Sequence, residues 1–145
     1  MCLNTNQISS HKAKKDIECY KVLILEENVN VENKEIVYNL HSPLYGEMSW
    51  EIGKVYKDDK FLSLSSGEKQ KGFFSLSFTN RVQYGYHTYK HLKDTLNLIG
   101  GTHCYKIFKA IIPEGSQYFE GWVNGAYDIF GYASDQLKLI KQINP

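Results

Sequence analysis

The sequence predicts a single α+β domain: a mostly antiparallel sheet of about seven strands with one main helix, Tyr89 to Ile99. Three observations lead there. A hexapeptide occurs twice with little change, Glu18-Cys19-Tyr20-Lys21-Val22-Leu23 and His103-Cys104-Tyr105-Lys106-Ile107-Phe108, and each copy runs on into apolar residues (Ile24 and Leu25; Ala110, Ile111 and Ile112). The chain carries 11 Tyr, 7 Phe and 2 Trp, an aromatic share that suits a pleated, half-buried backbone. The best helical spacing is Tyr89, Leu92, Leu96 and Ile99, behind Thr88 as a suitable N-cap. The two hexapeptides should be central strands of one sheet, which would tie the two ends of the chain into one fold.

In order along the chain, residues 1–15 are polar, with three lysines before the first strand, and read as a leader to a domain over 16–145. The first strand spans Ile17 to Leu25; both of its faces are largely apolar, as an interior strand requires. Glu26 to Asn33 is turn-like, and Glu35 to Leu40 can form a second short strand. Ser42-Pro43-Leu44-Tyr45-Gly46 is a turn, because Pro lacks a donor and Gly accepts unusual dihedrals. Strands are expected from Ser49 to Val55 and from Lys60 to Ser65. Phe73 to Phe78 alternates apolar residues with Ser, a half-exposed strand pattern. Gly100-Gly101 ends the helix, Pro113-Glu114-Gly115 is a turn after the second hexapeptide strand, and Ser116 to Val123 is a further strand. Asn124-Gly125 is a hairpin signal, and Leu137 to Ile143 closes the sheet.

A chain of 145 residues buries enough surface to fold without disulfide or metal staples. No run approaches the roughly 18 apolar residues of a membrane span, and the first residues lack the apolar core of a secretory signal, so the expected location is the cytoplasm. Three cysteines with no C-x-x-C pair suit a reducing compartment. Cys19 and Cys104 take equivalent places in the repeat and read as buried small hydrophobes. The net charge of +1 argues against a protein that grips nucleic acid through many phosphates. One basic residue, Arg81, offers the guanidinium fork needed for bidentate recognition; the rest are Lys.

The densest polar-aromatic cluster sits at the entry to the helix. Arg81, Tyr84, Tyr86, His87, Lys90 and His91 bring cations together with rings on which a base can stack, and they form the expected ligand-binding patch for a nucleotide-sized anion. The plainer reading makes the tyrosines core and the polar groups a solvated rim. His87 and His91 stand four apart, a spacing that suits a metal on a helix face, but no third ligand has a recognisable spacing, and no cofactor is expected. Cys2 would be a terminal nucleophile if Met1 were removed, although nucleophilic catalysis also needs a base and an oxyanion site. Glu47, Glu51, Asp58 and Asp59 read as ordinary solvated charges. No phosphate-binding glycine loop, G-x-S-x-G, H-E-x-x-H or kinase signature is present.

Three stretches, Asp16-Ile17-Glu18-Cys19-Tyr20-Lys21-Val22, Gly85-Tyr86-His87-Thr88-Tyr89-Lys90-His91-Leu92 and Ile111-Ile112-Pro113-Glu114-Gly115-Ser116-Gln117-Tyr118-Phe119-Glu120-Gly121, together resemble a group of small uncharacterised proteins of bacteriophages, prophages and gut bacteria. The resemblance implies a non-enzymatic accessory binding protein that blocks a host protein, such as a defence component, or sequesters a small nucleotide signal. A homo-oligomer is compatible with it; a membrane partner is not expected. Phe61-Leu62-Ser63-Leu64-Ser65-Ser66 is also similar to the Ser-Thr-Ser strand of the ADP-ribosyltransferase fold. In that comparison Asp135-Gln136 stands where the catalytic glutamate would be. An ADP-ribosyltransferase-like or N-terminal-cysteine enzyme is the alternative reading.

Overall fold

The computed structural model describes residues 3–29, 36–41, 50–58, 80–82, 84–98, 105–123 and 128–143. In chain order the elements are β1 (Leu3–Thr5), β2 (His11–Lys12), β3 (Ile17–Val29), β4 (Ile36–His41), β5 (Val55–Lys57), β6 (Asn80–Val82), β7 (Tyr86–Tyr89), α1 (Leu92–Leu98), β8 (Tyr105–Ile112), β9 (Gln117–Val123), β10 (Phe130–Ser134) and β11 (Gln136–Ile143). The first hexapeptide lies in β3 and the described part of the second in β8. The two strands are antiparallel neighbours, in register from Ile17 against Ile112 to Ile24 against Tyr105. The sheet runs β5-β11-β8-β3-β7-β10-β9-β1-β6, with β2 beside β9 and β4 beside β3.

The five strands from β7 to β6 cannot lie flat. β6 and β7 are four places apart in the sheet, yet residues 83–85 alone join them. Four flat inter-strand steps span about 19 Å, whereas the chain from Val82 to Tyr86 reaches at most about 14 Å. The sheet therefore rolls. Gly121 and Gly131 are paired across β9 and β10, and both are approached closely by a neighbouring backbone. A Cβ on Gly121 would lie 1.9 Å from the Asn4 carbonyl oxygen, and one on Gly131 would lie 2.4 Å from that of Thr88. Only glycine lets the neighbouring backbones come that close.

The roll has an apolar inside. Leu3, Val82, Tyr89, Phe119, Val123 and Ala133 form one buried cluster, with Tyr20 and Val22 of β3 packed against it. Alternation along β3 sends Cys19 and Leu23 to the other face, into a second core with Trp50, Tyr56, Phe108, Ala110, Ile112, Tyr132, Leu137 and Leu139. β3 thus serves two cores, as its two apolar faces predict. Between β8 and β9 the Ser116 N–H bonds to the Pro113 carbonyl, and Gly115 takes the positive φ that such a turn needs. α1 lies against β3 and β7. Among the described residues no helix is long and apolar enough to cross a membrane.

The mostly antiparallel single domain, with one helix among the described residues, is as expected, but several expectations need correction. The described residues alone contain eleven strands instead of about seven. The helix is Leu92–Leu98, not Tyr89 to Ile99: Tyr89 ends β7, paired with Gly131 and Tyr20, so strand pairing overrides its helical spacing. Thr88 is therefore a strand residue, and Ile99 lies outside the described residues. The leader over 1–15 is not one: Leu3 is 1 % exposed and β1 runs between β9 and β6. β3 extends through the expected turn to Val29 because β4 pairs with it. The strand expected from Ser49 to Val55 is replaced by a single bridge from Ile52 to Leu139, with β5 following. The expected strands Lys60 to Ser65 and Phe73 to Phe78, the Asn124-Gly125 turn, Cys2 and Cys104 lie outside the described residues.

Candidate functional site

Because β7, β10 and β9 bury their inward side chains in the roll, the alternate residues of each strand point away from it, Tyr86, Tyr118 and Tyr132 towards the second core and the end row out to the surface. Neighbouring strands then line these residues up in rows. The Lys90 N–H bonds to the Phe130 carbonyl, Phe130 pairs with Trp122, Trp122 with Asn4, and Asn4 with Arg81. The outcome is one cross-strand row, Lys90–Phe130–Trp122–Asn4–Arg81, with two aromatic rings in the middle and a cation at each end. The ring centroids of Trp122 and Phe130 are 6.4 Å apart and tilted by 41°. His91 stands edge-on to Phe130 at 6.5 Å. Phe130 is 37 % exposed, Trp122 and Asn4 are half-buried, and Arg81 and His91 are exposed.

Glu120 lies one row further in. It forms an ion pair with Lys90 and faces Tyr132 across β9 and β10. Burial, with the Glu120 carboxylate next in weight, pushes the Tyr132 phenol up to about 12.

The six residues of the expected ligand-binding patch separate. Arg81, Lys90 and His91 share the outer face of the roll, and Tyr84 is exposed, next to Gly85, whose N–H bonds to the Asp58 carboxylate. Tyr86 packs edge-on against Trp50 at 5.4 Å and belongs to the second core. His87 is 5 % exposed and points into the roll opposite Ala133, so its place in an exposed patch is corrected. The same burial separates His87 from His91, and neither is in α1. Among the described residues no group of three or more His, Cys, Asp or Glu could hold a metal ion.

Sequence reasoning missed Asn4, Trp122 and Phe130. Each sits in a strand whose alternation is visible, but only the register places them between Lys90 and Arg81. It also passed over Lys21, which is 7 % exposed with its ammonium in the second core. Asp135, in the position compared with a catalytic glutamate, has its carboxylate bonded to the Gln117 N–H and helps hold the β10–β11 corner. Compared with protein-family models, curated proteins and solved structures, the chain matches none.

Proposed function

We propose that the chain is a non-enzymatic binding protein of the phage-accessory kind that the sequence resembles, and that it sequesters a small nucleotide ligand on the Lys90-to-Arg81 row. The observation that carries this reading is the pairing of an exposed ring, Phe130, and a half-buried one, Trp122, with flanking cations in one cross-strand row. A base stacks on an indole or phenyl face whatever its identity, and base–aromatic stacking contributes about 1–3 kcal/mol per base. The guanidinium of Arg81 suits bidentate contact with a phosphate, and Lys90 and His91 add donors at the other end. Few cations and a net charge of +1 fit a ligand with few phosphates, not a duplex.

The test is titration of the whole chain with purine and pyrimidine nucleotides while tryptophan emission is followed. The expected result is saturable quenching that disappears in Trp122→Leu, since Trp50 is buried in the second core. A panel that leaves emission and calorimetric heat unchanged rejects the reading.

A further inference from the structure

Resting on that nucleotide reading, we infer that the ligand presents two bases: a dinucleotide-sized single strand laid across the sheet from Lys90 towards Arg81. One base needs one ring, and this row offers two on adjacent strands. Their 6.4 Å separation is about twice the ~3.4 Å rise of stacked bases. At that spacing consecutive bases unstack from each other and each lies on its own ring. The two end cations lie beyond the rings, Lys90 next to Phe130 and Arg81 past Asn4. A strand with a phosphate on either side of its two bases sets one phosphate against each. Asn4, between Trp122 and Arg81, adds an amide that can both donate to and accept from a base edge.

The experiment compares adenosine monophosphate with the diadenylate phosphorylated at both its 5′ and its 3′ end, each titrated calorimetrically into the full chain. The dinucleotide should bind at least about ten-fold more tightly, and Trp122→Leu and Phe130→Leu should each cost it roughly ten-fold. Arg81→Gln, an exposed change that leaves the cores untouched, should weaken the dinucleotide several-fold and the mononucleotide hardly at all. Circular dichroism melts confirm that each variant is folded. Equal affinities for the two probes, or dinucleotide binding indifferent to Phe130→Leu and Arg81→Gln, overturn this inference while leaving a one-base binding function standing. Absence of binding by either probe removes both.

Discussion

The Nζ of Lys21 lies 2.8 Å from the main-chain carbonyl oxygen of His87 and 5.7 Å from the centre of the Trp50 ring. The strand that supplies the carbonyl, β7, pairs with β3 through Tyr20 and Tyr89, so the contact spans the seam between the two cores. Among the described residues its partners are a carbonyl dipole and a π-face, neither of which carries a full negative charge. Burial therefore dominates, and it lowers the Lys21 ammonium from 10.5 to about 8, with a smaller opposing effect from Cys19.

The first prediction concerns stability against pH. The folded pKa of Lys21 is below the unfolded one, so between them the unfolded chain binds more protons and stability rises with pH. Across the whole window the gain is at most roughly 3 kcal/mol. Cys19 and Tyr132, both pushed up to about 12, have the opposite sign, and their effects set in above their ordinary values of 9.0 and 10.0. The Lys21 contribution is thus cleanest between about pH 8 and 9. Urea unfolding of wild type and Lys21→Met should show the rise in the first and its loss in the second, with the variant about 2 kcal/mol more stable at neutral pH. Identical pH profiles would mean that the ammonium is far better solvated than its surroundings indicate.

A second prediction concerns the roll. In Gly121→Ala the new methyl meets the Asn4 carbonyl oxygen, part of the backbone and unable to rotate away. We expect a loss of about 3 kcal/mol, measured as a lower urea midpoint. Gly115→Ala, with open space around its Cβ but a positive φ, should lose about 1 kcal/mol from backbone strain. If Gly121→Ala were the milder of the two, the close approach of β9 and β1 would be wrong.

The third prediction is chemical. Cys19 is fully buried, and burial pushes its thiol up to about 12 although the Thr88 hydroxyl and Lys21 pull it down. Thiolate is the reactive form. Alkylation of the native protein at neutral pH followed by peptide mapping should leave Cys19 unmodified, and labelling should appear only with global unfolding. Rapid native labelling at that residue would contradict its burial.

A fourth prediction joins the ion pair to the proposed ligand face. Glu120→Gln removes the carboxylate that pairs with Lys90. Binding of an anionic nucleotide should tighten by up to about five-fold, the most that an exposed pair of this kind is worth. The Tyr132 phenol should titrate at lower pH, because that carboxylate is the second cause of its upward shift. The difference between ultraviolet titrations with and without Tyr132→Phe, taken in both the parent and the Glu120→Gln background, reads this one of the eleven tyrosines without any ligand. An unmoved Tyr132 titration would show that the two groups do not interact.

The sequence was most informative where a strand is apolar on both faces, as at β3 and β8: such a segment has few places to go except between two others. The Pro113-Glu114-Gly115 turn was equally legible because its chemistry is local. Leu3–Thr5 was not, since three residues carry no periodicity and their burial comes from β9 and β6, distant in sequence. Tyr89 misled for a related reason. Its spacing to Leu92 and Leu96 is helical, but Gly131 and Tyr20 supply a strand partner on either side. Arg81, Lys90 and His91 could be named from composition, whereas Trp122 and Phe130 join them only through cross-strand register, which no local pattern encodes.

The placement of β1 has a consequence for how this chain reaches its native state. The Thr5 hydroxyl donates to the Glu120 carbonyl, a contact 115 positions away in sequence. A ribosome therefore releases β1 long before its neighbours β6 and β9 exist, and β3 emerges with both apolar faces bare. Closure of such distant pairings is slow, and unpaired strands of this kind stick to one another meanwhile. Production at lower temperature, or with chaperones that hold extended segments, should accordingly raise the soluble yield far more than any change to the finished surface.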